Sequence, residues 1–195
     1  MKTNWSGRAL RHQTTEADGV ITTNEDRVGW PWRQPVSTGP LHAGSRAPAI
    51  VLRSSAHRQV DLDDYRGRPV VLVFYVADWH PVCSAQLQRY RDVGAELERL
   101  GAVLLAISPD TVWSHAAFAS VYQLPFPVLA DHSPRARIAR AYGAYDSRSE
   151  MPRRALFVID GHARIAWSQM FPEAVDPGSD GILTALEELR SATSG

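Results

Sequence analysis

Val70-Val71-Leu72-Val73-Phe74-Tyr75-Val76-Ala77-Asp78-Trp79-His80-Pro81-Val82-Cys83 is the stretch on which the fold reading turns. Residues 70–76 are apolar without interruption and rich in β-branched and aromatic side chains. Such a run predicts a strand buried on both faces. Pro81 suits the first turn of a helix, where its missing N–H costs nothing. Beyond it, Leu87, Tyr90, Val93, Leu97 and Leu100 recur at spacings of three and four, which predicts one amphipathic helix. A buried strand running directly into a helix is the unit from which α/β folds are built.

Working outward, the same alternation continues. Ala49 to Leu52 reads as a short strand and Ala102 to Ile107 as a second buried strand. Ser108-Pro109-Asp110-Thr111 opens a helix whose expected apolar stripe is Trp113, Ala117 and Val121. Pro127 to Ala130 reads as a third short strand. Ala155 to Ile159 and Arg164 to Trp167 form a hairpin around the turn dipeptide Asp160-Gly161, and Ile182, Leu183, Leu186 and Leu189 mark a closing helix. The expectation is a mixed central β-sheet flanked by helices.

Residues 1–40 differ, carrying polar clusters and then Trp30-Pro31-Trp32, Pro35 and Gly39-Pro40, with no helical or strand period. They are read as an irregular N-terminal extension preceding the domain of residues 41–195; Trp30 and Trp32 are expected to dock it onto that domain's surface, with partner binding as the alternative. Met1 to Arg11 lacks the apolar segment of a secretory signal, and no run reaches the ~18 apolar residues of a membrane span. With one cysteine in 195 residues, a reducing, cytoplasmic setting is expected. The 21 basic and 21 acidic residues balance, which argues against nucleic acid as a partner.

Cys83 falls where the first strand gives way to the helix. Free N–H groups and the positive end of the helix dipole favour an anion there, and a thiolate is one. The setting suggests a partly exposed, oxidisable sulfur. An inert, buried cysteine is the competing reading.

The surrounding motifs resemble the peroxiredoxins of the alkyl hydroperoxide reductase C and thiol-specific antioxidant type. Phe74 to Cys83 is similar to their active-site segment, Pro-x-x-x-Thr/Ser-x-x-Cys after a Phe-Tyr strand end. Gly44-Ser45-Arg46-Ala47-Pro48, Leu62 to Pro69, Ile107 to Thr111, Phe126 to Asp131, Ala141-Tyr142-Gly143 and Arg153 to Asp160 resemble further family motifs in the same order. The resemblance implies a thioredoxin-like fold and a thiol peroxidase acting on hydrogen peroxide or organic hydroperoxides. It casts Cys83 as the peroxidatic cysteine, Arg154 as the arginine that stabilises the thiolate, and Gln86 as the residue that holds that arginine. Arg153 then fills the bland role of a surface arginine, while Gln86 could equally be a solvated helix residue. Two positions depart from the signature: Val76 stands where the family has its shielding proline, and His80 where it has the threonine. His80 has three readings: a working substitute for the hydroxyl, a Cys–His pair, or the mark of a lost activity. No second cysteine is available, so an external thiol must complete the cycle: a low-molecular-weight thiol, a glutaredoxin-like protein or thioredoxin. A disulfide between Cys83 of two copies would give a homodimer.

No metal or other cofactor is expected, because His12, His42, His57, His115, His132 and His162 show no ligand spacing and are read as surface residues. The alternative to an enzyme is a non-enzymatic redoxin with a decayed site, acting as a binding or regulatory module. A disulfide reductase ranks below both, for want of a Cys-x-x-Cys pair.

Overall fold

The computed structural model describes residues 39–193. The expectations for Trp30, Trp32 and nearly all of the 1–40 extension lie outside them. Nine strands and five α-helices occur among the described residues. In chain order the main-sheet strands are β1 (Val51–Arg53), β2 (Gln59–Asp61), β3 (Val70–Phe74), β4 (Val103–Ser108), β5 (Val128–Ala130), β8 (Arg154–Ile159) and β9 (Ile165–Phe171). β6 (Tyr145–Asp146) and β7 (Met151–Pro152) form a separate small hairpin. The main sheet has the order β2-β1-β5-β4-β3-β8-β9. Its centre, β5-β4-β3, is parallel, and both flanks are antiparallel, so the mixed sheet expected from the sequence is present.

The helices are α1 (Pro81–Asp92), α2 (Gly94–Arg99), α3 (Val112–Tyr122), α4 (Arg137–Ala141) and α5 (Asp180–Thr193). Strand alternation sorts the core into two layers. Val70, Leu72 and Phe74 face α4 and the β6–β7 side, where Phe74, Tyr142 and Phe157 pack with ring centroids 5.2–5.7 Å apart. Val71, Val73 and Tyr75 face α1, α2, α3 and α5. Each fully buried aliphatic or aromatic side chain in these layers contributes about 1.5–3 kcal/mol. No helix among the described residues is long and apolar enough to cross a membrane.

Three expectations are corrected. The helix expected across Leu87 to Leu100 is two helices, with Val93 capping α1 through its N–H and Gly94 opening α2. Glycine within a helix costs about 1 kcal/mol relative to alanine, which makes this the cheap place to break. The strand expected over residues 70–76 ends at Phe74: Tyr75 still donates its N–H to Ile107, after which the chain turns away. On α3 the buried face is His115 and Phe118, not the stripe of Trp113, Ala117 and Val121; Trp113 is 71% exposed and Val121 64%. The helix is apolar on several sides, so periodicity alone could not choose between its faces. Contacts made by Phe118 with Tyr75, Trp79 and Tyr122 choose it.

Gly143 shows how closely the entering chain approaches. Its φ is +68°, and a Cβ there would lie 1.8 Å from the carbonyl oxygen of Gly39. Only glycine satisfies both conditions.

Candidate active site

The strand register assembles the site. β3 and β8 run antiparallel with Phe74 opposite Ala155, so the next residue of β8, Arg154, lies beside the point where the chain leaves β3. Alternation puts Arg154 on the α1 face with Leu156 and Val158, and leaves Arg153 exposed on the other. The chain leaving β3 turns through Trp79, whose φ is +63°, and enters α1 at Pro81. A tryptophan in the left-handed region is strained. It is held there by ring packing on Phe118 at 5.2 Å and Tyr122 at 6.2 Å.

Cys83 is the third residue of α1, in the turn whose N–H groups lack helical partners. Its side chain is buried, which corrects the expectation of a partly exposed sulfur. Tight packing of Tyr75, Leu87 and Leu156 into the same layer explains the burial. Two side-chain nitrogens reach the sulfur, and the one from Arg154 is a donor. Arg154 Nη1 lies 3.5 Å from Sγ, and His80 Nδ1 lies 3.6 Å from it. His80 is the N-cap of α1, yet its side chain makes no capping bond and turns to the sulfur instead.

Arg154 is fully buried; its two terminal nitrogens make directional polar contacts, while Nε is buried without a hydrogen-bond partner. Nη1 also donates to Gln86 Oε1, and Nη2 donates to the backbone carbonyl of Glu173 at 2.9 Å. Gln86 is buried and donates through Nε2 to Tyr90 Oη at 3.1 Å, so the solvated reading of Gln86 does not hold. Cys83, Gln86 and Tyr90, spaced by three and four, form one stripe of α1 facing β8. Val76 is half-buried against the same apolar layer as Cys83.

A second polar cluster lies beneath the turn, and the sequence reading missed it. Asp78, buried, accepts hydrogen bonds from Tyr75 Oη at 2.7 Å and Ser114 Oγ at 2.6 Å, and His115 Nδ1 lies 2.9 Å from its Oδ2. The backbone N–H of Asp78 donates to Asp110 at 2.8 Å. His115 is thus a core residue, correcting its assignment to the surface. The available signal was Asp78 itself, a carboxylate placed between a buried strand and a helix start. Glu173 was also missed, since no periodicity or motif marks the loop it occupies.

Burial raises the Asp78 carboxyl, but the hydrogen bonds from His115, Ser114 and Tyr75 outweigh it and hold the group below its ordinary value. A lowered carboxyl stabilises the fold above the unfolded-state value of about 4, and that contribution drains as pH falls through the lower, folded value. Asp78→Asn is therefore expected to destabilise the protein by roughly 1–3 kcal/mol at neutral pH. The difference from wild type should shrink in acid. Urea unfolding at neutral and acidic pH checks it; an equal difference at both would contradict the assignment.

The sequence matches the AhpC/TSA family over residues 43–168, a span that includes both Cys83 and Arg154. The chain belongs to the AhpC/TSA family. Within this peroxiredoxin family, peroxiredoxin Q, chloroplastic, of Oryza sativa subsp. japonica is 34% identical over 144 residues, covering 72% of this chain and 66% of that protein. The match thus spans just under two thirds of the rice protein's length. Peroxiredoxin 2 of Thermoplasma acidophilum is 29% identical over 153 residues, covering 75% of each chain. Among solved structures, peroxidoxin BcpB from Mycobacterium tuberculosis superposes with a TM-score of 0.69 at 27% identity, covering 77% of this chain and 99% of that one. This AhpC/TSA chain therefore has the thioredoxin-like fold that its motifs implied.

Proposed function

We propose that this AhpC/TSA protein is a thiol peroxidase that works through one cysteine, Cys83. The observation that carries the reading is the buried Arg154 guanidinium, which donates at once to Cys83 Sγ and to Gln86. A fixed, permanently charged donor beside a cysteine at a helix N-terminus favours the thiolate. The thiolate attacks one peroxide oxygen and the O–O bond breaks. That oxygen stays on sulfur as sulfenic acid, and the other leaves with a proton as water or alcohol. Arg154 stabilises the charge that moves from sulfur to the leaving oxygen. Gln86 fixes Arg154, Val76 shields the sulfur with an apolar group, and His80 supplies the donor that a hydroxyl would otherwise supply. The 195 residues hold one cysteine, so an external thiol resolves the sulfenic acid: a low-molecular-weight thiol, a glutaredoxin-like protein or thioredoxin. A cytoplasmic setting, where such thiols are kept reduced, suits this cycle.

The test is intact-mass analysis after one equivalent of hydrogen peroxide in the presence of a sulfenic-acid trap. Trap adduct on Cys83 is expected; an unmodified thiol at neutral pH would sink the enzymatic reading.

His80 carries a prediction of its own. Removing one hydrogen bond to a charged group should slow Cys83 oxidation about tenfold in His80→Ala. His80→Thr, which restores a small hydroxyl, should keep most of the rate. Stopped-flow measurement of the second-order rate with peroxide separates the variants. A large gain in His80→Thr would identify His80 as the mark of a decayed site and favour a binding role for the protein.

A further inference from the structure

The loop between β9 and α5, residues 172–179, touches the site twice through a single residue. The backbone carbonyl of Glu173 accepts from Arg154 Nη2 at 2.9 Å. Its carboxylate Oε1 lies 3.9 Å from His80 Nε2. We propose that Glu173 is a positioning residue for the Cys83 reaction, its side chain aligning His80 against the sulfur and its backbone aligning Arg154.

Three observations carry this. First, the two ring nitrogens of His80 face different groups: Nδ1 lies 3.6 Å from Cys83 Sγ, and Nε2 faces the Glu173 carboxylate at 3.9 Å. A ring that carries a proton on Nδ1 can hand it to an oxygen at the sulfur, and the carboxylate on the far side of the ring helps to hold it in that orientation. Second, the loop is anchored to the helix that carries Cys83. Arg89 of α1 donates through Nη2 and Nε to Asp176 Oδ2 at 2.9 and 3.3 Å. A turn from Val175 N–H to Pro172 O and a bond from Gly178 N–H to Asp176 Oδ1 fix its shape. Third, the polar groups arranged about the sulfur come from separate elements: His80 before α1, Arg154 on β8 and Glu173 on this loop. Their geometry is therefore set by the fold.

The inference rests on the thiol-peroxidase reading and adds a proton route to it. The sulfur electron pair forms the S–O bond as the O–O bond breaks. The leaving oxygen takes the proton of His80, which ends as neutral imidazole. Sulfur is oxidised by two electrons to sulfenic acid, and the peroxide is reduced to water or alcohol. Glu173 touches neither sulfur nor peroxide and acts through His80.

Glu173→Gln removes the charge and leaves the backbone carbonyl for Arg154. With 71% of its side chain exposed, the carboxylate is worth a modest factor, so the peroxide rate should fall about two- to fivefold at neutral pH. Glu173→Asp should lie between. High salt should bring wild type toward Glu173→Gln, since an exposed pair is screened. In a His80→Thr background, Glu173→Gln should change nothing. A wild-type rate indifferent to salt, or an equal loss from Glu173→Gln in both backgrounds, would overturn the proposal. The same variants are also followed by iodoacetamide alkylation of Cys83 across pH, which needs no peroxidase activity. A wild type inert to peroxide would sink the peroxidase reading. Glu173 would then stand or fall on whether its alkylation profile shifts only when His80 is present.

Discussion

Cys83→Ser is expected to abolish peroxide consumption and to remove the sulfenic-acid adduct from the intact mass, with no loss of fold. The argument is chemical and structural together. Serine keeps the volume of the site nearly unchanged in a buried layer where a cavity would be costly. Its hydroxyl, however, has neither the acidity nor the nucleophilicity of a thiol held beside Arg154 and His80. Since the chain holds one cysteine, no other sulfur can replace it. The measurement is peroxide disappearance with an excess of dithiol reductant, alongside circular dichroism. Residual turnover in the folded variant would place the chemistry elsewhere.

Arg154→Ala is expected to give the next largest effect, a loss of about 10²–10³ in the rate of Cys83 oxidation, the usual scale for removing one preorganised donor from a developing charge. The side chain is fully buried and donates to Cys83, Gln86 and the Glu173 carbonyl, so its removal also frees Gln86 and the β9–α5 loop. Arg154→Lys keeps the charge without the planar fork, and should recover only part of the rate. Arg153→Ala should leave the rate within about twofold, because Arg153 is exposed just ahead of β8 and its side chain has no contact with the sulfur among the hydrogen bonds and ion pairs of the site. Comparison of the three variants by stopped-flow oxidation, with thermal unfolding to confirm the fold, decides the matter. Equal losses in Arg153→Ala and Arg154→Ala would refute the role of Arg154.

The sequence by itself determined the elements that depend on local pattern. The apolar run 70–76, the α1 start at Pro81 and the hairpin about Asp160-Gly161 are set by burial, by proline geometry and by turn chemistry, each readable over a few residues. Cys83 at a helix start was legible for the same reason. Ordered motifs between Gly44 and Trp167 carried the rest of the resemblance, and the family match over residues 43–168 agrees with it.

What only the tertiary structure decided are the relations between elements distant in sequence. Which face of α3 is buried depends on Tyr75, Asp78 and Trp79 packing against it, and periodicity is silent when both faces are apolar. The family resemblance already points to Arg154 rather than Arg153, but the physical reason, the β3–β8 register in which a slip of one residue would exchange them, is visible only in the fold. The burial of Cys83 and Gln86 against Arg154, the carboxylate of Asp78 beneath the turn, and Glu173 between His80 and Arg154 all rest on contacts between elements distant in sequence. No local pattern encodes such contacts, because their free energy arises only when the sheet has brought the chain together.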